Sequence, residues 1–262
     1  MADETLTPYS LAGLSVGKAQ ERSKWLNMMF YGASGVGKTT LGGSAQAVKE
    51  MMPALSIDAE GGSESLRNSY PGVDVVRVKT WEQSVNVYSD IYDQVSNGTF
   101  PYNTILVDSL NEYQKYSMLS IMEMVVKEHP ERDLEVPSKR EYLINLEQMR
   151  RMVRGFRDLE VHTIFTCLSE AYRDENTGKV NNEPLLTGKF KKEIPALIDV
   201  VCFMYKRQIG VGDDAEMKRI LLTEATDTTV AKDRTGKLPQ TIFEPTMSEI
   251  YKYLSIEGKV AK

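Results

Sequence analysis

Cysteine and histidine are scarce, with two of each in 262 residues. Cys167 and Cys202 both sit inside apolar runs, so they read as buried thiols and not as a disulfide framework. With only His129 and His162 beside them, a structural zinc has no ligand set. Positive charge is not in excess either. Lys and Arg number 32 against 37 Asp and Glu, and a net charge of −5 gives no global attraction to nucleic acid. Any such contact needs a local basic surface. Long hydrophobic runs are missing, and stretches such as Ile198–Tyr205 are far too short to cross a bilayer. The beginning carries Asp3 and Glu4 and lacks a basic start followed by an apolar run, so a cytoplasmic location is expected.

What is present is an ordinary globular composition, 41% hydrophobic and 26% charged, in a chain long enough for one sizeable core. Apolar runs of strand length alternate with longer amphipathic stretches, the rhythm of an α/β fold with a mostly parallel central sheet flanked by helices. Strands are expected at Leu26–Tyr31, Ala54–Ile57, Val73–Val78, Thr104–Val107, Val161–Cys167, Val200–Arg207 and Arg219–Thr223. Helices are expected at Lys38–Met51, Thr80–Val95, Leu110–Lys127, Lys139–Leu159 and Met247–Leu254. Asn176-Thr-Gly and Gly210–Asp214 read as loop tips. The expected organisation is a lead-in over 1–24, a single core over 25–245, and a C-terminal helix and tail over 246–262.

The run Gly32-Ala33-Ser34-Gly35-Val36-Gly37-Lys38-Thr39, followed by Thr40, fits the phosphate-loop pattern, with an apolar strand before it and a helix after it. Its glycines let several backbone N–H groups face phosphates, and the following helix adds its positive end. Lys38 then neutralises the β- and γ-phosphates of ATP, and Thr39 ligates Mg2+ through its hydroxyl. The competing reading is a glycine-rich turn that binds nothing. Thr104-Ile-Leu-Val-Asp108 is an apolar run ending in a carboxylate, as a central strand would be that delivers Asp108 to the magnesium shell. Buried strands also end at Asp for structural reasons alone. Ser109 stands next, where many ATP motors place a glutamate, so the group that orients the attacking water has to come from elsewhere. Glu60 is placed for it, because the carboxyl ends of parallel strands gather the ligand site of an open α/β sheet. The alternative for Glu60 is an exposed loop carboxylate.

Taken in order and spacing, Gly32–Thr40, Ile57-Asp-Ala-Glu60 and Ile105-Leu-Val-Asp-Ser109 resemble the core of RecA-type recombinases. The resemblance implies a RecA-like P-loop ATPase with Glu60 as the catalytic glutamate. It also implies that Lys232 and Arg234, two residues apart in Thr229-Val-Ala-Lys-Asp-Arg, match a cation pair that reaches the γ-phosphate of a neighbouring subunit. ATP then lies between subunits of a filament or ring. Thr166, Cys167 and Ser169 stand where such folds carry a polar sensor, usually Asn or Gln. The DNA-facing loops of that family correspond to Lys127–Arg140 and Leu168–Pro195, the second holding Lys179, Lys189, Lys191 and Lys192 with Tyr172 and Phe190. A lysine cluster in a loop is also ordinary solvated surface. Arg150, Arg154 and Arg157 form one stripe of a helix and read as its charged outer face. His162 reads as a packed strand residue, and Arg67 or Tyr70 could stack on adenine.

With Pro184-Leu-Leu-Thr-Gly-Lys and Ile194-Pro-Ala-Leu-Ile-Asp199, the chain looks most similar to the small RecA-like ATPases of bacteriophages that act on single-stranded DNA in annealing or recombination. A ring-forming DNA motor (helicase or packaging ATPase), a P-loop small-molecule kinase and a nucleotide-gated DNA clamp use nearly the same residues and stay open.

Overall fold

The computed structural model describes residues 10–12, 14–15, 25–175, 177–210, 212 and 215–255. Most of the lead-in and the end of the tail lie outside them, as do Asn176 and three residues of the Gly210–Asp214 tip. Strands β1 (Ser10–Leu11) and β2 (Leu14–Ser15) form a small antiparallel pair.

The main sheet carries β3 (Asn27–Gly32), β4 (Ala54–Asp58), β5 (Asp74–Arg77), β6 (Thr104–Asp108), β7 (His162–Arg173), β8 (Val180–Pro184), β9 (Val200–Ile209), β10 (Glu216–Leu222), β11 (Lys232–Asp233) and β12 (Thr241–Phe243). Its order is β12-β10-β9-β3-β7-β6-β4-β5, with β11 on β9 and β8 on β7. Strands β9, β3, β7, β6, β4 and β5 run parallel, while β8, β10, β11 and β12 join antiparallel. Strand β7 therefore lies between the phosphate-loop strand β3 and the Asp108 strand β6. This is the mostly parallel α/β arrangement with flanking helices that the sequence leads one to expect.

Because side chains alternate along a strand, the two faces can be read from parity. Met29, Tyr31, Ile105, Val107, Phe165 and Val201 join one core cluster. Met28, Phe30, Leu106, Ile164, Val200 and Cys202 join the other. Helices α3 (Trp81–Ser96), α4 (Leu110–Glu128), α5 (Lys139–Arg157) and α6 (Phe190–Leu197) cover the first face. Helices α1 (Lys38–Gly43), α2 (Glu64–Ser69) and α7 (Met247–Ser255) cover the second. Strands buried on both faces explain the continuous apolar runs at β3 and β6.

Several elements differ from expectation, and packing partners explain them. The helix from Lys38 to Met51 stops at Gly43 and gives way to a 3-10 turn over Ser44–Ala47. Gly42 and Gly43 favour helix poorly, yet a Cβ there would come within 2.6 Å of Leu106 Cδ1 and 2.3 Å of Leu66 Cδ2 respectively. Close packing on the sheet outweighs helix propensity at this point. Strand β7 continues to Arg173 because β8 pairs with its extension, so much of Leu168–Pro195 is hairpin and helix and not open loop. Helices α2 and α6 were not expected, being short, and α6 contains Pro195. Cys167 and Cys202 are buried free thiols, as expected, and burial pushes both above the ordinary cysteine range.

Candidate active site

The site is assembled at the carboxyl ends of β3, β4 and β6. At the end of β3 the chain must turn hard, and Gly32 is pressed against β9 so closely that a Cβ would lie 2.2 Å from the Met204 carbonyl oxygen. Gly37, which opens α1, has φ 109°, a left-handed value that glycine takes without strain. Lys38 is buried and folds back over the loop, donating from Nζ to the carbonyl oxygens of Gly32 and Ala33, each at 3.0 Å. Burial lowers its pKa, and the nearby Glu60 and Asp108 carboxylates oppose that shift. Val36 points away into the core, so its contribution to the loop is its backbone.

Asp108 ends β6 and is buried. Thr39 Oγ1 donates to its Oδ2 at 2.8 Å, and the Thr166 hydroxyl, from β7, donates to Oδ1. Burial raises the Asp108 pKa, while the Thr166 and Thr39 hydrogen bonds work against it. Thr166 thus serves Asp108. Cys167 beside it is fully buried and Ser169 partly so.

Asp58, at the end of β4, was not singled out from sequence. Its carboxylate accepts backbone N–H groups of Glu60, Gly61, Gly62 and Ser63, at 3.1, 2.6, 3.2 and 3.2 Å. That grip shapes the turn that presents Glu60. The available signal was the carboxylate two residues before Glu60, followed by Gly-Gly-Ser, a pattern in which a short acid side chain caps its own loop.

Ser34, Gly35, Gly37, Lys38, Thr39, Thr40, Glu60, Gly61, Gly62, Ser65 and Asp108 line one cavity of about 380 Å³. A hydroxyl and a carboxylate side by side are hard oxygen donors, the kind Mg2+ takes in small number while phosphates supply the rest. Space for an ion is preserved by Gly62, whose Cβ would stand 2.9 Å from Asp108 Oδ2 and 3.3 Å from Thr39 Oγ1. The donor set fits magnesium. Among the described residues no group of three or more His, Cys, Asp or Glu could hold a metal by itself.

Residues 24–235 match the AAA domain family. The chain belongs to that family. A crystal structure of the RadB recombinase aligns over 82% of this chain and 84% of its own, with TM-score 0.44 and 11% identity. No curated protein matches the sequence. The AAA domain is accordingly an ATPase domain built on a P-loop, and among its described residues no helix is long and apolar enough to cross a membrane.

Other residues of this AAA domain lie apart from the phosphate cavity. Lys232 and Arg234 sit at the opposite end of the parallel strands, since β11 pairs with Val200 and Val201, which stand beside Met28 and Met29 at the start of β3. Lys232 Nζ donates to the carbonyls of Pro195 and Ile198 at 2.6 and 3.0 Å. Arg234 pairs with Asp199 and donates to the Ala196 carbonyl at 3.1 Å. Both cations therefore cap the carboxyl end of α6 in their own chain.

Phe190 is fully buried and is not available to stack on a base, contrary to expectation, because it opens α6 and points into the core. Lys179 pairs with Asp227, and Lys191 with Glu170 and Glu183, which removes much of the positive field expected there. Arg150 is held by Glu193 and Glu147, and Arg157 by Asp158, so two of the three arginines of the stripe are ion-paired within the chain. His162 is buried and accepts the Leu26 N–H at 3.1 Å. Arg67 and Tyr70 line a separate cavity of about 280 Å³ with Glu64 and Pro71.

Proposed function

We propose that this AAA domain binds ATP with Mg2+ at Gly32–Thr40, hydrolyses it, and uses the cycle to control its grip on single-stranded DNA in phage-type recombination or annealing. The observation that carries the reading is the convergence of Lys38, Thr39, Glu60 and Asp108 on one cavity. Lys38 exchanges its two loop carbonyls for the β- and γ-phosphates, a favourable trade for an ammonium kept from water. Thr39 and Asp108 would hold the magnesium, which would supply positive charge to offset that of the phosphates. Glu60, exposed at the rim, accepts a hydrogen bond from the attacking water and takes its proton as the new P–O bond forms and the bond from the γ-phosphorus to the bridging oxygen breaks, releasing ADP and phosphate.

ATP between subunits and self-association into a filament or ring belong to the same proposal. Lys232 and Arg234 then reach a neighbour's γ-phosphate by giving up their bonds to the end of α6, where a positioned cation contributes about 10³ to 10⁵ in rate.

The single-strand reading is supported by a groove of about 900 Å³ between α4, the segment before α5 and the turn after β8. Beside it lies a hollow of about 320 Å³ where exposed Tyr142 and Leu143 are flanked by Lys139 and Lys189. An aromatic platform with cations at its edge suits stacked bases and a phosphate backbone.

The test is steady-state ATP turnover across protein concentrations with single-stranded DNA, duplex DNA or no polymer, with Lys38→Ala as the blank. Stimulation by single strands and a rate that climbs faster than linearly with protein are expected. Indifference to nucleic acid, with phosphorylation of a small acceptor, replaces this reading with a kinase.

A further inference from the structure

The flank of the phosphate loop away from Glu60 and Asp108 is built by the antiparallel end of the sheet, and it carries two cations. Strand β9 runs alongside β3 with Met204 beside Gly32, so its continuation passes the loop. Lys206, two residues on, donates from Nζ to the Gly35 carbonyl at 3.2 Å. The register of β10 sets Arg219 directly across from Lys206. A Cβ on Gly37 would lie 3.5 Å from Arg219 Cδ and 3.6 Å from its Nη1. Gly35 and Gly37 line the cavity, so Lys206 contacts the loop that a phosphate chain would occupy and Arg219 stands beside it, at the cavity's edge and outside its lining.

Arg219 is held there deliberately. Its Nε donates to Glu244 Oε2 at 2.8 Å, its backbone N–H to Glu244 Oε1 at 2.7 Å, and the Glu244 N–H returns to the Arg219 carbonyl at 2.8 Å. Glu244 pays for this grip with φ 45°, in the left-handed region that a glutamate seldom enters. The ion pair alone, exposed at 45% and 41% of its two side chains, returns less stability than such a backbone costs, and the two backbone hydrogen bonds add to it. The grip uses Nε and leaves Nη1 and Nη2 with no partner among the described residues.

We propose that Arg219 is a phosphate-binding residue acting in cis: its free Nη donors, beside Gly37, take an oxygen of the bound polyphosphate, while Lys206 fixes the loop through Gly35. This rests on the nucleotide reading of the cavity. It is distinct from the pair Lys232 and Arg234, which that reading assigns to a neighbour's nucleotide.

Binding of ATP and of inorganic tripolyphosphate to the full chain tests it, measured by titration for wild type, Arg219→Ala, Arg219→Lys and Lys38→Ala, with thermal melts alongside. Arg219→Ala should weaken both ligands about tenfold, the loss of one charge-assisted contact, and Arg219→Lys should recover part of it. If the alanine variant melts too early to titrate, Arg219→Gln gives the same reading. Wild-type affinity for both ligands in the folded alanine or glutamine variant overturns the proposal, as does a loss for ATP without a loss for tripolyphosphate. If wild type binds neither ligand more tightly than Lys38→Ala does, the nucleotide reading itself falls, and this inference with it.

Discussion

Thr39 Oγ1 and Asp108 Oδ2 stand 2.8 Å apart, a hydrogen bond that ties the first turn of α1 to the end of β6. Thr166 binds the other carboxylate oxygen from β7, so three neighbouring elements meet on one buried acid. The carboxylate is desolvated, and only two hydroxyl donors and the nearby Lys38 offset the cost. A divalent ion placed between Thr39 and Asp108 would relieve it, which makes this acid sensitive to metal.

Asp108→Asn should therefore keep the fold while losing the reaction. The amide preserves shape and removes the buried charge, so the melting temperature should equal or exceed that of wild type. Mg2+-dependent ATP turnover should fall by about 10² or more. A magnesium titration of both proteins checks this, and an Asn variant with near-normal turnover contradicts the assignment.

Gly62→Ala is a finer probe of the same space. Its added methyl would sit 2.9 Å from Asp108 Oδ2 and crowd Thr39, while Gly62 itself is absent from the positive-φ positions. Stability should change by less than about 1 kcal/mol, and Mg2+-supported ATP binding should drop about tenfold or more. Equal losses with and without Mg2+ would point to general damage to the cavity.

Lys232→Ala separates two roles. Removing two hydrogen bonds from the end of α6 should cost about 1–2 kcal/mol in chemical denaturation at every protein concentration. If Lys232 also serves a neighbour, the concentration-dependent part of turnover should disappear as well. Lost stability with an unchanged concentration profile would leave Lys232 a cap of α6 and nothing more.

Helix α5 should respond to acid through its cap. Ser138 and Glu141 form a capping box, and hydrogen bonds from Ser138, helped by Arg132, hold the Glu141 pKa down at about 2. A carboxyl depressed in the folded state stabilises above its unfolded value of about 4.3 and loses that contribution as pH falls through the folded value. The stability difference between wild type and Glu141→Gln should thus be full at pH 6 and above and shrink between about pH 5 and pH 2. A difference constant over that range would contradict the coupling.

Much of this molecule is written locally. The strands β3, β4 and β6 lie within a residue or so of their expected ends, since each is a short apolar run stopped by glycine or a carboxylate. The placement of Gly32–Thr40, Glu60 and Asp108 at neighbouring strand ends was legible because spacing along the chain maps onto strand ends in a parallel sheet. What stayed hidden depends on partners distant in sequence. Strand β7 runs to Arg173 only because β8 returns beside it, and α1 stops at Gly43 because Leu66 and Leu106 press on it. Arg219 acquires its place beside Gly37 through two sheet registers that no spacing of residues announces.

The most direct test of the central claim is ATP turnover by Glu60→Gln, with ATP affinity measured on the same preparation. The account predicts that kcat falls by about 10²- to 10⁴-fold while affinity stays within a few-fold of wild type, since the carboxylate acts on the attacking water and not on the bound nucleotide. Turnover near wild type would contradict it and remove Glu60 from the chemistry.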